Sequence, residues 1–343
     1  MIRGNWGEWS EAYAFLKLLV EGELQEVEAD LSPKSTKTIV LDLLRDDSSG
    51  LKLFKTRQNS YESQAGFITR GEIVNALAAF PSPSSSRNLG VFEIPAVEHV
   101  LSRLGISAIK AASKEKIDIK GHFASASGHG DKLLGYSIKS ELGSASTLLN
   151  ASGHTLFKYA IGTDVKTASI LQEKSGPSKV KAFFRALKKH DIGVTARGPK
   201  SKELKSNMLF FGGELEVLLS NMLLSDYQGQ PKGLKELAKL HDVNEIQQKR
   251  NKFQLGQFLK AIALGMVPAT PWQGELQAYG GYIIVQKDGS LMSFPLENED
   301  VFRNYLIEKS YFDTPSVSRH KFGSLYEAEG ELFIDLSMQI RFR

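Results

Sequence analysis

The chain has 343 residues, of which 24% are charged and 41% are apolar, and its formal net charge is +4. These values are typical of a globular protein with one large domain or two modest ones, and they argue against global disorder. The sequence contains no cysteine, which excludes disulfide frameworks, thiolate nucleophiles and cysteine-ligated zinc or iron–sulfur centres.

The first residues, MIRGNWGEWSEAYAFLKLL, lack the basic, then apolar, then small-residue order of a secretory signal. No stretch of the sequence approaches the roughly 18 uninterrupted apolar residues of a membrane-spanning helix. We therefore expect a soluble protein of the cytoplasm that does not associate with membranes.

Hydrophobic spacing predicts the first elements of the chain. Apolar residues at helical intervals over 7–21, followed by Gly22 as a stop, predict an amphipathic helix. TIVLDLL at 38–44 predicts a strand, and the turn-forming residues near Ser82 predict a loop. VEHVLSRLG at 97–105 predicts a helix that ends at its glycine.

A β-hairpin with a long loop is predicted over 116–142. KIDIKG forms its first strand, LLGYSIKSEL its second, and the glycine- and serine-rich GHFASASGHGD lies between them. His122 and His129 fall in this loop and receive no role, because the sequence has no spaced histidine cluster of the kind that binds zinc.

The following segment predicts a strand, LFKYAIG, and a helix, SKVKAFFRALKKH. Between Lys174 and Lys205, ten basic residues face two acidic ones, a local excess of eight positive charges. Such a segment attracts a polyphosphate backbone, although a solvated helix face is the simpler interpretation. If the segment binds DNA, Lys181 and Arg185 would make nonspecific contacts with its phosphates.

The second half predicts helices in GLKELAKLHDV and NKFQLGQFLKAIALG, and then two hairpins. The first hairpin turns at Asp288 and Gly289, and the second turns at Glu329 and Gly330. Helices and strands in this order predict an α/β or α+β protein with mixed strands.

One group of residues in the middle hairpin could carry chemistry. Hydrolysis of a phosphodiester requires a hard cation, so carboxylate oxygens must converge with a lysine beside the scissile phosphate. Asp118 lies on the first strand, and Ser137 and Lys139 point to one face of the second because they are two residues apart. A surface salt bridge across a hairpin would produce the same pattern.

Three strings resemble segments of HpaII-type restriction endonucleases: GEWSEAYAFLKLL, LGYSIKSELGSASTLLNAS and TPSVSRHKFGSLYEAEGELFIDLSMQIRF. The resemblance is weaker over 23–106 and 172–261. It implies a single restriction endonuclease domain over 1–343, with a catalytic core over about 1–190 and a DNA-recognition part over 191–343 packed on that core.

The resemblance also implies a PD-(D/E)XK nuclease core, in which a mixed four- to five-stranded sheet flanked by helices holds one or more Mg²⁺ ions and additional hairpins follow. Asp118 would be the first motif aspartate and a metal ligand. Lys139 would be the motif lysine that positions or activates the attacking water. The family pattern has Asp or Glu two residues before the lysine, and this chain has Ser137.

Because a serine supplies no negative charge, a second carboxylate must come from elsewhere. Glu141 continues the strand face of Lys139 if the strand runs that far, whereas Glu11 or Glu8 could enter from the N-terminal helix. We favour Glu11 over Glu8. Acidic residues in a first helical turn also occur simply because they interact favourably with the helix dipole.

DNA recognition requires side chains that reach base edges and others that hold phosphates. Two polar segments qualify, one after the catalytic strand and one before the last hairpin. Their candidate residues are Ser144, Ser146, Thr147 and Asn150, and Ser318, Arg319, His320 and Lys321. Helix capping and a solvated loop are the alternative interpretations.

The sequence therefore predicts a type II restriction endonuclease that cleaves double-stranded DNA with Mg²⁺ and leaves 5′-phosphate ends. The resemblance suggests CCGG as its site, a homodimer to match a palindrome, and a cognate DNA methyltransferase as functional counterpart. Two alternatives are a modification-dependent or repair-type nuclease with the same core, and a DNA-binding protein without catalysis.

Overall fold

The structure of the protein is a computed structural model, and it describes residues 2–47, 50–81, 90–109, 116–125, 131–143, 145–176 and 179–342. The chain divides into two compact units. The first unit comprises 1–146, 263–265 and 276–305, and the second comprises 147–262, 266–275 and 306–343. These units differ from the predicted division near residue 190, because two later segments return to the first unit. The loop predicted near Ser82 lies outside the described residues.

The elements up to the middle hairpin are α1 (Trp6–Glu21), β1 (Glu23–Val27), β2 (Pro33–Asp47), β3 (Gly50–Lys55), β4 (Ser60–Ser63), β5 (Gly66–Thr69), α2 (Arg70–Ala78), α3 (Pro95–Arg103), β6 (Ile119–Ser125) and β7 (Lys132–Ser140). They are followed by β8 (Thr147–Leu149), β9 (Leu156–Ile161), α4 (Val165–Ser175), α5 (Val180–Lys189), β10 (Val194–Pro199), α6 (Lys202–Leu209), α7 (Leu215–Tyr227), α8 (Leu234–Lys239) and α9 (Glu245–Leu264). The last elements are β11 (Gly281–Val285), β12 (Leu291–Pro295), α10 (Glu299–Lys309), β13 (Ser310–Phe312), α11 (Val317–His320), β14 (Leu325–Ala328), β15 (Glu331–Ser337) and β16 (Ile340–Phe342).

The main sheet of the first unit is mixed, as predicted, and partly barrel-like. Its strand order is β1-β12-β11-β7-β6-β2-β3, and β1 also pairs with β2, so that six strands form a closed ring. The β11–β7 and β1–β12 pairs are parallel, and the other pairs are antiparallel. The prediction of four to five strands is wrong, because the β11–β12 hairpin joins this sheet and the 15-residue β2 pairs with three neighbours.

Helix α1 confirms the predicted N-terminal helix. The Asn5 side chain accepts hydrogen bonds from the backbone N–H groups of Gly7 and Glu8, and the Glu8 carboxylate accepts one from the Asn5 N–H at 2.9 Å. Gly22 ends the helix with φ 64°, a left-handed conformation that glycine adopts without steric cost. The buried face of α1, including Trp9 and Phe15, contributes to the hydrophobic core of the first unit.

The second unit contains a four-stranded sheet, in the order β10-β9-β15-β14, and a three-stranded sheet, in the order β13-β16-β8. Helix α5 confirms its prediction and buries Phe183 and Phe184. The β14–β15 hairpin turns where predicted, at Glu329 and Gly330. Both residues have positive φ, at 54° and 78°, as a tight two-residue turn requires. Among the helices of the described ranges, none combines the length and apolar character needed to cross a membrane.

Candidate active site

The predicted middle hairpin is confirmed as strands β6 and β7. They pair in antiparallel register with Ile119 opposite Tyr136, and Asp118 immediately precedes β6. Tyr136 and Ile138 belong to the core that includes α1. Because side chains alternate along a strand, Ser137 and Lys139 point to the opposite face.

Asp118 is held in place by two hydrogen bonds to the same carboxylate oxygen. The Ser137 hydroxyl donates to Asp118 Oδ2 at 3.1 Å, and the backbone N–H of Ile138 donates to it at 2.6 Å. Asp118 Oδ1 receives no hydrogen bond from any residue that the structure describes. The carboxylate is therefore oriented, with one oxygen available to a ligand, on the face that also carries Lys139.

Lys116 is a third charged side chain near this carboxylate. Burial and, to a smaller extent, the positive charge of Lys139 lower the pKa of Lys116 to about 8, and Asp118 opposes the shift. Its backbone N–H donates to the Gln277 side chain at 2.9 Å. Sequence patterns do not predict the involvement of Lys116 or Gln277. Only the short spacing between Lys116 and Asp118 could have indicated Lys116.

Two buried tyrosines, Tyr282 and Tyr305, respond electrostatically to Asp118 and Glu141. Burial raises the pKa of Tyr282 well above its ordinary value, and Tyr305 and then Asp118 add to the rise. Burial also raises the pKa of Tyr305, with a smaller contribution from Glu141. Asp118 and Glu141 are thus both close enough to this tyrosine pair to act on it electrostatically.

Glu141 lies one residue beyond the end of β7, although its N–H still pairs with the Val285 carbonyl at 2.8 Å. It follows Ser137, the neighbour of Asp118, by four residues, which is about 13 Å along a strand. Two carboxylates at that separation are poorly placed to share one ion. Glu141 is better placed for a separate ion or an outer contact.

The two glutamates of α1 differ in their surroundings. Glu8 closes the capping box with Asn5, so helix initiation accounts for its carboxylate. Glu11 has one buried carboxylate oxygen, Oε2. Since α1 contributes to the core on the Ile138 side of β7, Glu11 would have to approach Asp118 around the strand end, where Trp6 lies against Gly143.

Within the described ranges, no three His, Asp or Glu side chains are grouped so that they could hold a metal ion. The donor set at Asp118 nevertheless fits a hard cation, because Mg²⁺ is commonly bound through one or two carboxylates, with water and substrate phosphates completing its shell. Asp118 Oδ1 would be the protein ligand.

This chain is similar to known proteins over almost its whole length. The family model described as HpaII restriction endonuclease matches residues 5–342. The chain belongs to the HpaII restriction endonuclease family. It is 31% identical to the type II restriction enzyme HpaII of Haemophilus parainfluenzae in an alignment of 366 positions, which covers 99% of this chain and 98% of that relative. No solved structure matches the chain.

Membership of the HpaII restriction endonuclease family makes the protein a site-specific deoxyribonuclease, as the sequence predicted. The alternative of a DNA-binding protein without catalysis is accordingly set aside.

The first set of predicted DNA contacts spans the point in the chain where the first unit ends, at residue 146, and the second begins, at residue 147. Ser144 is outside the described residues. Ser146 donates to the Ser140 carbonyl at 2.8 Å, which links it to the end of β7. Thr147 pairs with Arg341 in a sheet of the second unit, and Asn150 is exposed. Contact with DNA remains a prediction for all four.

The second set occupies a short helix of the second unit. Ser318, Arg319 and His320 form most of α11, and Lys321 ends it with φ 49°. Ser318, Arg319 and Lys321 are exposed and could reach a ligand. Contact with DNA remains a prediction for these residues too.

The two basic residues of α5 differ from each other. Lys181 donates to Asp226 at 2.6 Å, and the Asp226 side chain is only 1% exposed. Lys181 neutralises a buried carboxylate and so stabilises the fold. This structural role comes ahead of any contact with DNA. Arg185, one turn later, is exposed and donates to the Lys181 carbonyl at 3.2 Å, so a phosphate contact is still open to it.

Proposed function

We propose that the protein cleaves double-stranded DNA at CCGG in a Mg²⁺-dependent reaction that leaves 5′-phosphate ends. The observation that carries the proposal is the oriented Asp118 carboxylate, with Oδ2 bonded to Ser137 and Ile138, on the sheet face of Lys139. The resemblance of the chain to HpaII-type enzymes supports the choice of CCGG.

Each residue of the site then has a defined role. Asp118 Oδ1 would hold the cation, which would supply neutralisation of phosphate charge and activation of the attacking water. Lys139 places its ammonium group beside the scissile phosphate and orients the attacking water. Ser137 holds Asp118 in the ligand conformation, and Glu11 is the remaining candidate for a second carboxylate at the same ion.

Two partners follow from this proposal. A twofold-symmetric homodimer would present one site to each strand of a palindrome. A cognate DNA methyltransferase would protect the cell's own DNA by modifying the same sequence.

Ser137→Ala is expected to lower kcat about tenfold with little change in KM. The substitution removes one of two hydrogen bonds to an ionised group, which contributes roughly 1.5 kcal/mol, while the Ile138 N–H remains. Single-turnover cleavage at saturating enzyme measures the effect. Ser137→Thr, which keeps the hydroxyl, should retain most of the rate, and an unchanged rate in Ser137→Ala would remove Ser137 from the site.

Sequencing the ends of digested DNA tests the proposed specificity directly. Unmethylated phage DNA incubated with the protein and Mg²⁺ should give discrete fragments whose 5′-phosphorylated ends all derive from CCGG. A parallel digest with chelator in place of Mg²⁺ should give none. Ends from another sequence would overturn the CCGG assignment, and preferential cutting of methylated DNA would support the modification-dependent alternative.

A further inference from the structure

Strand β6 presents two polar residues, Lys120 and His122, on the face of the proposed catalytic site. Ile119 and Phe123 are buried in the core, whereas Lys120 and His122 are partly exposed. Alternation places Lys120 and His122 on the side of Asp118. A line of side chains spaced two residues apart thus leads away from the oriented carboxylate along one strand.

Lys120 has no acidic partner among the residues that the structure describes. The residues opposite it are Leu44 on β2 and Gly135 on β7, and neither can accept its charge. In the described part of the chain, Lys120 makes neither an ion pair nor a side-chain hydrogen bond. A partly exposed lysine whose charge is unpaired within these ranges favours binding of an anion at this position.

Two acids on this face are engaged elsewhere, and a third, the exposed Asp46 of β2, makes no ion pair with Lys120 among the described residues. Asp42 Oδ1 lies 2.8 Å from His122 Nδ1 and accepts the His122 backbone N–H at 3.1 Å, and the Asp42 side chain is 16% exposed. Asp118 Oδ2 accepts from Ser137 and Ile138. None of these carboxylates pairs with Lys120 within the described ranges, so its ammonium group is available to an anion from outside the chain.

The distance along β6 indicates which anion this is. Lys120 follows Asp118 by two residues, which is about 7 Å along a strand. This is close to the separation of neighbouring phosphates in one DNA strand. If Asp118 lies at the scissile phosphate, Lys120 lies at the level of the next one.

We propose that Lys120 binds the phosphate adjacent to the scissile phosphate and so fixes the register of the cleaved strand over Asp118. This inference rests on the proposed nuclease site. Phosphate contacts of this kind position the protein on DNA without reading its sequence. Lys120→Ala should therefore weaken binding to CCGG and to unrelated duplexes alike.

The salt dependence of binding tests the proposal without requiring cleavage. Each phosphate contact contributes about −0.9 to the slope of log K against log salt, so the affinity lost between 50 and 200 mM salt should be about 3.5-fold smaller for Lys120→Ala than for the unaltered protein. Fluorescence anisotropy with a short CCGG duplex, without divalent metal, provides the measurement. Lys120→Arg should keep the original slope. Lys37→Ala, which removes a strand lysine paired with Glu23, should also keep it.

A neutral methylphosphonate in the DNA identifies the phosphate. Placed on one side of the scissile phosphate, it should weaken binding by the unaltered protein and have no further effect on Lys120→Ala, because the two changes remove the same contact. Additive losses at both neighbouring positions, or an unchanged salt slope in Lys120→Ala, would overturn the assignment. Failure of the unaltered protein to cut DNA would instead count against the nuclease proposal itself.

Discussion

Asp118→Asn and Lys139→Ala should each lower the rate of DNA cleavage about 10³-fold or more while the protein remains folded. Loss of one preorganised charge at a phosphoryl centre typically costs about 10² to 10³ in rate, and Asp118 is also the proposed ligand of the cation. Asparagine keeps the shape of aspartate and can still accept from the Ile138 N–H, so Asp118→Asn separates loss of charge from loss of structure. Single-turnover digestion of a plasmid in Mg²⁺ measures the effect.

Two control variants make this result specific. Glu62→Gln alters an exposed acid of β4, in a different sheet, and Lys37→Ala alters a strand lysine that pairs with Glu23. Both should cut at the normal rate. Near-normal cleavage by Asp118→Asn and Lys139→Ala would show that the chemistry occurs elsewhere in the chain.

Lys181→Ala should destabilise the protein by about 3 kcal/mol near neutral pH. Removing one member of a buried ion pair leaves an uncompensated charge, which typically costs about 3–5 kcal/mol, and we expect the lower end because the Lys181 side chain is 21% exposed. Asp226 Oδ1 is buried with no hydrogen-bond partner in the described ranges, and besides Lys181 the carboxylate is stabilised by the more weakly acting charge of Lys232. Urea unfolding compares the variant with the unaltered protein.

The penalty in Lys181→Ala should shrink as the pH falls. Burial raises the pKa of Asp226 above its ordinary 3.8, even though Lys181 opposes the shift. The folded state therefore holds the proton more tightly than the unfolded chain, so protonation of Asp226 stabilises the fold below the ordinary pKa, and this contribution is lost as the pH rises through the raised value. Without Lys181 the pKa rises further, so unfolding at about pH 5 should show a smaller difference than at about pH 7.5.

Control variants at the same site separate stability from DNA binding. Arg185→Ala, on the same helix and exposed, should change the free energy of unfolding by no more than about 0.5 kcal/mol. Lys181→Met combined with Asp226→Leu should recover most of the lost stability, because both charges leave together. Normal stability with weakened DNA binding in Lys181→Ala would restore the phosphate-contact interpretation of Lys181.

Local patterns predicted the parts of the site that depend on neighbouring residues. The two-residue period of a strand places Ser137 and Lys139 on one face, and the glycine- and serine-rich segment before them marks a hairpin loop, so the approach of Asp118 could be expected. The predicted hairpin loop begins too early. His122 belongs to strand β6, where it pairs with Asp42 of β2.

Contacts between distant residues left no local signal. Lys116 meets the Gln277 side chain 161 positions later, and Lys181 meets Asp226 45 positions later. The start of β2, PKSTK, is polar and gives no alternating apolar pattern, so most of its pairing with β1 could not be predicted. By contrast, the capping role of Glu8 can be predicted from the sequence, because Asn followed three residues later by Glu is typical of a helix start.

The position of β11 between β7 and β12 has a consequence for synthesis of the enzyme. The strand that carries Lys139 acquires its second neighbour only when residues 281–285 have been made, and the ring closes only after β12 pairs with β1. Such long-range pairings form late, since a long loop must close before they add stability. If Asp118 and Lys139 form the proposed site, a ribosome-bound or prematurely terminated chain that already contains them still has an unfinished sheet around them, so we expect DNA cleavage only from chains that include residues 281–295.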